Sequence, residues 1–147
     1  DHLPDPRTDR ACHAEAALMP PVRDRSAMIR GMDPVRREGA YVFATLTSVP
    51  EGAIATFAEE EGLSAILPIE AATAQGLDVT LPMACLTLTV HSALDGVGLT
   101  AAVASALADE GIPCNMVAAF HHDHVFVPED RAEEALAILR ALAQAEI

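Results

Sequence analysis

The sequence predicts an α+β fold, an antiparallel sheet with helices on one face. Short β-rich runs alternate along the chain with amphipathic helical runs. In the second half their order is strand, helix, strand, strand, helix, which is typical of a ferredoxin-like sandwich. The 51% hydrophobic content is ample for a buried core in 147 residues.

The N-terminal stretch, residues 1–26, mixes prolines and charges without a sustained hydrophobic period. We expect a flexible tail there, with ordered structure beginning near Ala27 and little loss of stability when the tail is removed. The alternative is an arm that binds a partner.

An internal repeat divides the remaining chain into halves at 27–82 and 83–147. The β-rich runs 41–48 and 85–92 each contain Thr-Leu-Thr, and 55–74 aligns with 118–135 as strand, turn, strand, proline and helix. The spacing indicates that the first half lacks one helix. A helical interpretation of residues 51–62 remains an alternative.

The second half contains the clearest elements. Leu86, Leu88 and Val90 alternate with polar residues, which indicates a strand with one buried face. A helical stripe then ends at Gly111, and a final helix opens after Pro128. The last strand of a ferredoxin-like unit is missing, and we expect the other half or a neighbouring chain to supply it.

Charge and composition exclude several functions. The net charge of −13, with nine arginines and no lysine, argues against nucleic acid as a partner. No apolar stretch is long enough to span a bilayer, so we expect a cytoplasmic protein without a membrane partner. Three cysteines without CxxC spacing indicate a reducing compartment.

The run LTVHSALDGVGLTAAVASALADEGIPCNM resembles the ACT domain, with its D-x-x-G-x-L turn at Asp95, Gly98 and Leu99 and a strand after Gly111-Ile112. The resemblance covers about residues 27 to 145. The further run IPCNMVAAFHHDHVFVPEDRAEEAL resembles small stand-alone bacterial proteins with tandem ACT-like units, and the pairing of units is distantly similar to that in cytosolic arginine sensors.

The resemblance implies a regulatory or sensor protein that binds a small ligand, an amino acid, at the seam between ACT-like units. It also implies an acidic contact from the hairpin, here Asp123, to the ligand's basic groups. The expected ligand-binding residues are Asp95, Gly96, Val97, Gly98, Leu99, Asn115, Met116 and Asp123. The alternative is a structural dimerisation or interaction module that binds no metabolite, and the expected protein partner is a second copy or a regulated protein.

The Asp95–Leu99 turn has a physical reason to bind a carboxylate, because glycines let the backbone approach closely and a helix N-terminus offers unpaired N–H groups. Asp95 could equally be the helix N-cap, with Gly98 as a packing glycine.

Residues 121–124 read HHDH. Strand alternation would send His121 and Asp123 to one face and His122 and His124 to the other, so we expect no metal site. A hairpin turn is the first interpretation and a ligand contact the second. We also expect no cofactor and no enzymatic activity, because His91, Ser92 and an aspartate would diverge along a strand and no nucleophile motif accompanies them.

Overall fold

A computed structural model describes residues 20–146 of the chain. The elements in order are α1 (Arg25–Arg30), β1 (Pro34–Arg36), β2 (Tyr41–Leu46), β3 (Ala55–Ala58), β4 (Leu63–Pro68), α2 (Ile69–Ala74), β5 (Met83–Leu88), α3 (Leu99–Asp109), β6 (Asn115–Ala118), β7 (Asp123–Pro128), a 3₁₀ turn (Glu129–Arg131) and α4 (Ala132–Ala145). Over this range, no helix has the length and apolar character needed to cross a bilayer.

The strands form one antiparallel sheet that runs through both halves. Its order is β3-β4-β2-β5-β7-β6, and β1 also pairs with β5. β1 and β2 are successive pieces of one extended run, since Pro34 lies opposite Leu88 and Tyr41 lies opposite Met83. This run joins the sheet of the first half to that of the second.

The second half has the predicted strand, helix, strand, strand, helix order. β1, which belongs to the first half in sequence, takes the place of the missing last strand beside β5. Of the two predicted sources for that strand, the other half of the same chain is therefore the one observed.

The larger core lies between the sheet of the second half and the helices α1, α3 and α4. Leu86 and Leu88 are fully buried and Val90 is nearly so, which confirms the predicted alternation. α3 ends at Asp109, and Gly111 two residues later has a φ of +69°, the left-handed conformation that glycine adopts readily after a helix.

The first half is a smaller unit of β2, β3, β4 and α2. Its core includes Val42, Leu67 and Ala72, on the same side of the sheet as the other helices. The helical alternative for residues 51–62 is wrong, because Ala55–Ala58 pairs as a strand with Leu63–Ile66. A loop stands where the second half has α3, as the spacing predicted.

Residues 20–26 differ from the expected flexible tail. The amide of Val22 donates to the carbonyl of His91 at 2.7 Å, and the amide of Ala93 donates to the carbonyl of Val22 at 2.8 Å. Asp24 caps α1 through a 2.9 Å bond from the Ala27 amide. The expected tail therefore does not extend over residues 20–26, and residues 1–19 lie outside the described residues. We call residues 20–30 the N-terminal segment.

Candidate functional site

The turn before α3 is built around Gly98. Gly98 is the N-cap of the helix and has a φ of +110°, outside the range that side-chain-bearing residues adopt comfortably. Among residues 20–146 no side chain caps the helix, so the first N–H groups of α3 keep their capacity to bind an acceptor. Asp95 is not the N-cap, and its carboxylate forms an ion pair with Arg23.

A small cavity of about 100 Å³ lies beside this turn. Three of the predicted glycine-turn residues, Gly96, Gly98 and Leu99, share it with Asp123 from β7. The remaining lining residues are Met28, Ser92, Ala93, Leu94, Thr100 and Ala118. The structure thus brings together the turn and the hairpin aspartate, which are 24 or more residues apart in sequence.

Asp123 and Ser92 are the buried polar pair of this cavity. Their relative exposures are 8% and 9%, and the Ser92 hydroxyl donates to Asp123 Oδ2 at 3.1 Å. Among the described residues, no cationic side chain pairs with the Asp123 carboxylate. A carboxylate this buried with one neutral donor is costly, so the cavity favours a cationic group close to it.

The N-terminal segment closes one side of the turn. A Cβ atom added to Gly96 would lie 3.0 Å from Met28 Sδ, and one added to Gly98 would lie 2.8 Å from Arg25 Cδ. The glycines therefore allow α1 to pack tightly on the turn. Met28 and Arg25 therefore cover the α-carbons of Gly96 and Gly98.

The same segment is tied to the end of the last helix. Ser26 Oγ donates to Glu146 Oε1 at 2.7 Å, and Arg25 lies 3.5 Å from the same oxygen. Since Arg25 also covers Gly98, this contact connects the C-terminal end of α4 to the candidate site.

Four of the predicted ligand-binding residues lie outside the cavity. Asp95 and Val97 are exposed, with 76% of the Asp95 side chain accessible. On β6, Asn115 lies opposite Phe126 on the helix-free side of the sheet, while Met116 packs into the main core. The contribution of β6 to the cavity comes from Ala118, because that end of the strand meets the turn.

Several cavity residues were not among the predicted ones. Ser92 could have been predicted from the sequence, because it is the last residue of the polar stretch that follows the repeated Thr-Leu-Thr strand. The sequence does not mark Met28, Thr100 and Ala118 as cavity residues, because core packing also requires an apolar or small residue at these positions.

The HHDH run forms the turn between β6 and β7 and the start of β7, which agrees with the hairpin interpretation. Asp123 lies on the helix side of the sheet and His124 on the other, where His124 Nδ1 is 2.9 Å from Thr87 Oγ1. Burial lowers the pKa of His124, and the positive charge of Arg37 lowers it further. In residues 20–146 no three histidine, cysteine or acidic side chains are arranged to hold a metal ion.

His91 forms no hydrogen bond with Ser92 or Asp123 in the described structure. Its ring packs against His121 with the ring centroids 5.4 Å apart, and its Nδ1 atom is buried without a hydrogen-bond partner in the described structure. Ser92 donates to the Asp123 carboxylate, and within residues 20–146 no imidazole is hydrogen-bonded to its hydroxyl. This arrangement orients a carboxylate and does not activate a hydroxyl nucleophile.

Two family models match the chain in tandem. Residues 20–84 and residues 81–141 each match a model described as an ACT domain. A protein of unknown function from Vibrio cholerae is 42% identical in sequence, with a TM-score of 0.70 over 78% of this chain and 92% of that chain. No curated protein matches the chain.

More distant structures share the fold alone. A protein from Agrobacterium tumefaciens is 22% identical over 71% of this chain and 84% of its own, with a TM-score of 0.58. The aspartokinase alpha and beta subunits are 13% identical over 76% of this chain and 97% of that chain, with a TM-score of 0.54. The chain therefore belongs to the ACT domain family and carries two ACT units in tandem, which gives it a regulatory, small-ligand-binding role in general terms.

Proposed function

We propose that the protein is a cytoplasmic sensor that binds an amino acid in the cavity between the Asp95–Leu99 turn and Asp123, and that occupancy changes its interaction with a regulated protein. The ligand's amine lies against the Asp123 carboxylate. Its carboxylate lies against the first amides of α3.

The observation that carries this proposal is the buried carboxylate of Asp123. Asparagine could also form a hydrogen bond with Ser92 and would bring no charge into this buried position, so a structural role alone does not require aspartate. An ammonium group in the cavity would give the charge a partner and a charge-assisted hydrogen bond. The cost of the unpaired charge is then recovered when the ligand binds.

The uncapped start of α3 supports the proposed position of the ligand's carboxylate. α3 spans 11 residues, and its first turn has no side-chain cap among the described residues. Free N–H groups and the positive end of the helix dipole attract a carboxylate. An acceptor site and a donor site that face one small cavity match the two charges of an amino acid.

Cavity size restricts the ligand further. A volume of about 100 Å³ is smaller than the roughly 150 Å³ of an apolar cavity that holds one benzene molecule. The amino and carboxyl groups of an amino acid fit, and a long side chain does not fit unless the segment around Met28 moves. We therefore expect small amino acids to bind best.

A thermal-shift screen of the twenty amino acids tests the proposal. At about 100 times its dissociation constant, a ligand adds roughly 2.7 kcal/mol to the free energy of unfolding, or several degrees in melting temperature. Asp123→Asn should remove the shift. Asp109→Asn is the matched control, because Asp109 is an exposed aspartate at the far end of α3.

The proposal fails if no amino acid at millimolar concentration shifts the melt of the wild-type protein, or if Asp123→Asn and Asp109→Asn respond alike. In that case the alternative gains support, namely an interaction module that binds no metabolite. One observation favours it independently, which is the large apolar face of the sheet that the helices leave open.

A further inference from the structure

The sheet has one face that no helix among residues 20–146 covers, and we call it the open face. The main core and the core of the first half both lie on the helix side. On the open face, residues of four strands form a third apolar cluster, which consists of Tyr41, Ile66, Met83, Cys85 and Phe126. Phe126 connects the two halves, because its ring makes edge-to-face contacts with Tyr41 at 6.1 Å and with Phe43 at 5.2 Å.

An apolar groove of about 410 Å³ lies on the open face. Phe43 from β2 and Phe57 from β3 line it, and they are 46% and 73% exposed. Val117 from β6 lines it as well, although two strands separate β2 from β6 in the sheet. The sheet therefore curls around the groove. The volume lies within the range of roughly 300–1,000 Å³ that is usual for sites of small organic molecules.

Arg37 lies on the same face, beside the apolar cluster. Its amide donates to the carbonyl of Cys85 at 2.9 Å, and its guanidinium lies 5.7 Å from the centroid of the Tyr41 ring. Arg37 is exposed, and among residues 20–146 no carboxylate forms an ion pair with it. A guanidinium in this position is suited to bind a carboxylate through two parallel hydrogen bonds.

His124 and Thr87 add hydrogen-bonding groups to this part of the open face. Thr87 Oγ1 is 2.9 Å from His124 Nδ1. Burial lowers the pKa of His124, and the positive charge of Arg37 lowers it further, so the two groups are close enough to repel each other. A neutral ring that accepts a bond at Nδ1 carries its proton on Nε2 and remains a donor there. His124 is also the strand partner of Val117, so this donor adjoins the groove.

Charge is distributed unevenly along the open face. None of the strand residues that alternate onto it is an aspartate or a glutamate. Glu59, which follows β3, bonds Ser64, and Ser64 lies opposite Thr45 near the end of β2. Arg37 lies beyond the other end of β2, next to Tyr41. An anionic head group is therefore attracted to one end of the groove and repelled from the other.

We propose that the open face binds a small amphipathic carboxylate, with its head group on Arg37 and His124 Nε2 and a single alkyl chain in the groove along Phe43 and Phe57. The groove is larger than the roughly 150 Å³ of a cavity that holds one benzene molecule, so it has room for such a chain. This site is separate from the cavity at Asp123, which lies on the helix side, and the inference does not depend on an amino acid binding there.

Isothermal titration calorimetry of the full chain with octanoate tests the proposal. Octanoate should bind at least about tenfold more tightly than octan-1-ol, which has no carboxylate, and than acetate, which has no chain. From hexanoate to octanoate, each added methylene group should tighten binding about three- to fourfold, because it is buried against apolar side chains.

Substitutions at two exposed positions separate the head group from the chain. Arg37→Gln should weaken octanoate binding at least about tenfold and leave octan-1-ol binding unchanged, whereas Phe57→Ser should weaken both. The matched controls are Arg140→Gln on α4 and Val49→Ser in the β2–β3 loop, because both residues are exposed and neither lines the groove. Both controls should keep the wild-type affinity, and all four variants should keep the wild-type circular dichroism spectrum.

NMR places the head group independently. Octanoate should shift the ring resonances of His124 and not those of the exposed His121. Shifts at His121 alone would locate the ligand elsewhere and overturn the proposal.

An absence of octanoate binding at millimolar concentration would also overturn the proposal, as would equal affinities for octanoate and octan-1-ol or an octanoate affinity that Arg37→Gln leaves unchanged. A protein surface that covers the open face in solution would give the first of these results. Amino acid binding at Asp123 is measured separately, so either proposal can fail while the other stands.

Discussion

The side chain of Arg25 lies directly against the α-carbon of Gly98. A Cβ atom at position 98 would be 2.8 Å from Arg25 Cδ and 3.0 Å from Arg25 Nε. A side chain at position 98 would have to displace the half-exposed Arg25 side chain, and the φ of +110° separately favours glycine.

Gly98→Ala should therefore destabilise the protein by two separable effects. Backbone strain at this φ and the collision with Arg25 should together cost about 2 to 3 kcal/mol of unfolding free energy. Gly111→Ala is the matched control: its φ is also positive, at +69°, but a Cβ there meets no atom within 4 Å. It should cost about 1 kcal/mol in a urea melt.

Adding Arg25→Ala to Gly98→Ala should restore only the unfolding free energy lost to the contact with Arg25, and the cost of backbone strain should remain. Equal costs for Gly98→Ala and Gly111→Ala, with no recovery in the double variant, would show that Arg25 does not constrain the turn.

Shortening the chain tests whether residues 20–24 of the N-terminal segment contribute to the stability of the fold. A protein beginning at residue 25 loses the Asp24 cap and the two backbone bonds of Val22, in comparison with one beginning at residue 20. Each bond or cap contributes about 1 kcal/mol, so the melting temperature should fall by several degrees. Equal melting temperatures would mean that residues 20–24 do not contribute to the fold.

Periodicity predicted most of the fold. The strand with Leu86 and Leu88 and the helices α3 and α4 follow from apolar spacing, and Gly111 is the stop signal after α3; both signals act within a few residues of sequence. The missed part is the N-terminal segment. Its order depends on β-type pairing of Val22 with residues 91–93, some seventy residues away, and composition does not report such a contact.

The candidate site was predicted for the turn and for Asp123 but not for the residues around them. Asp95 and Val97 were expected to contact the ligand because they belong to the turn, yet their side chains point to solvent. Met28 lines the cavity instead, since α1 packs over the turn. Tertiary neighbours determine which side of a turn faces a cavity, and the sequence of the turn alone does not predict those neighbours.

His124 should make stability dependent on pH. Its folded pKa is lowered by burial, so the unfolded chain binds its proton first as the pH falls through the ordinary value of 6.5. Stability from this residue is complete above that value and is lost below it. In His124→Gln, the drop in melting temperature from about pH 7.5 to about pH 5.5 should be smaller than in wild type.

His121→Gln serves as the comparison for that experiment, because His121 is exposed in the hairpin turn. If both variants show the wild-type pH profile, the half-buried His124 does not control the acid response.

The buried pair of Ser92 and Asp123 gives the most informative prediction. If Asp123 is retained to meet a cationic ligand, the unliganded protein should gain stability in Asp123→Asn, by up to about 1 kcal/mol, because the uncompensated charge is removed without changing shape. Ser92→Ala in the wild-type background should cost about 2 kcal/mol, since it takes a hydrogen bond from a buried carboxylate. The same change in the Asp123→Asn background should cost about half as much, which a double-mutant cycle by chemical denaturation measures. A strong destabilisation in Asp123→Asn would instead mean that the carboxylate charge stabilises the unliganded fold. Asp123 would then have a structural role, and its burial would not indicate a cationic ligand.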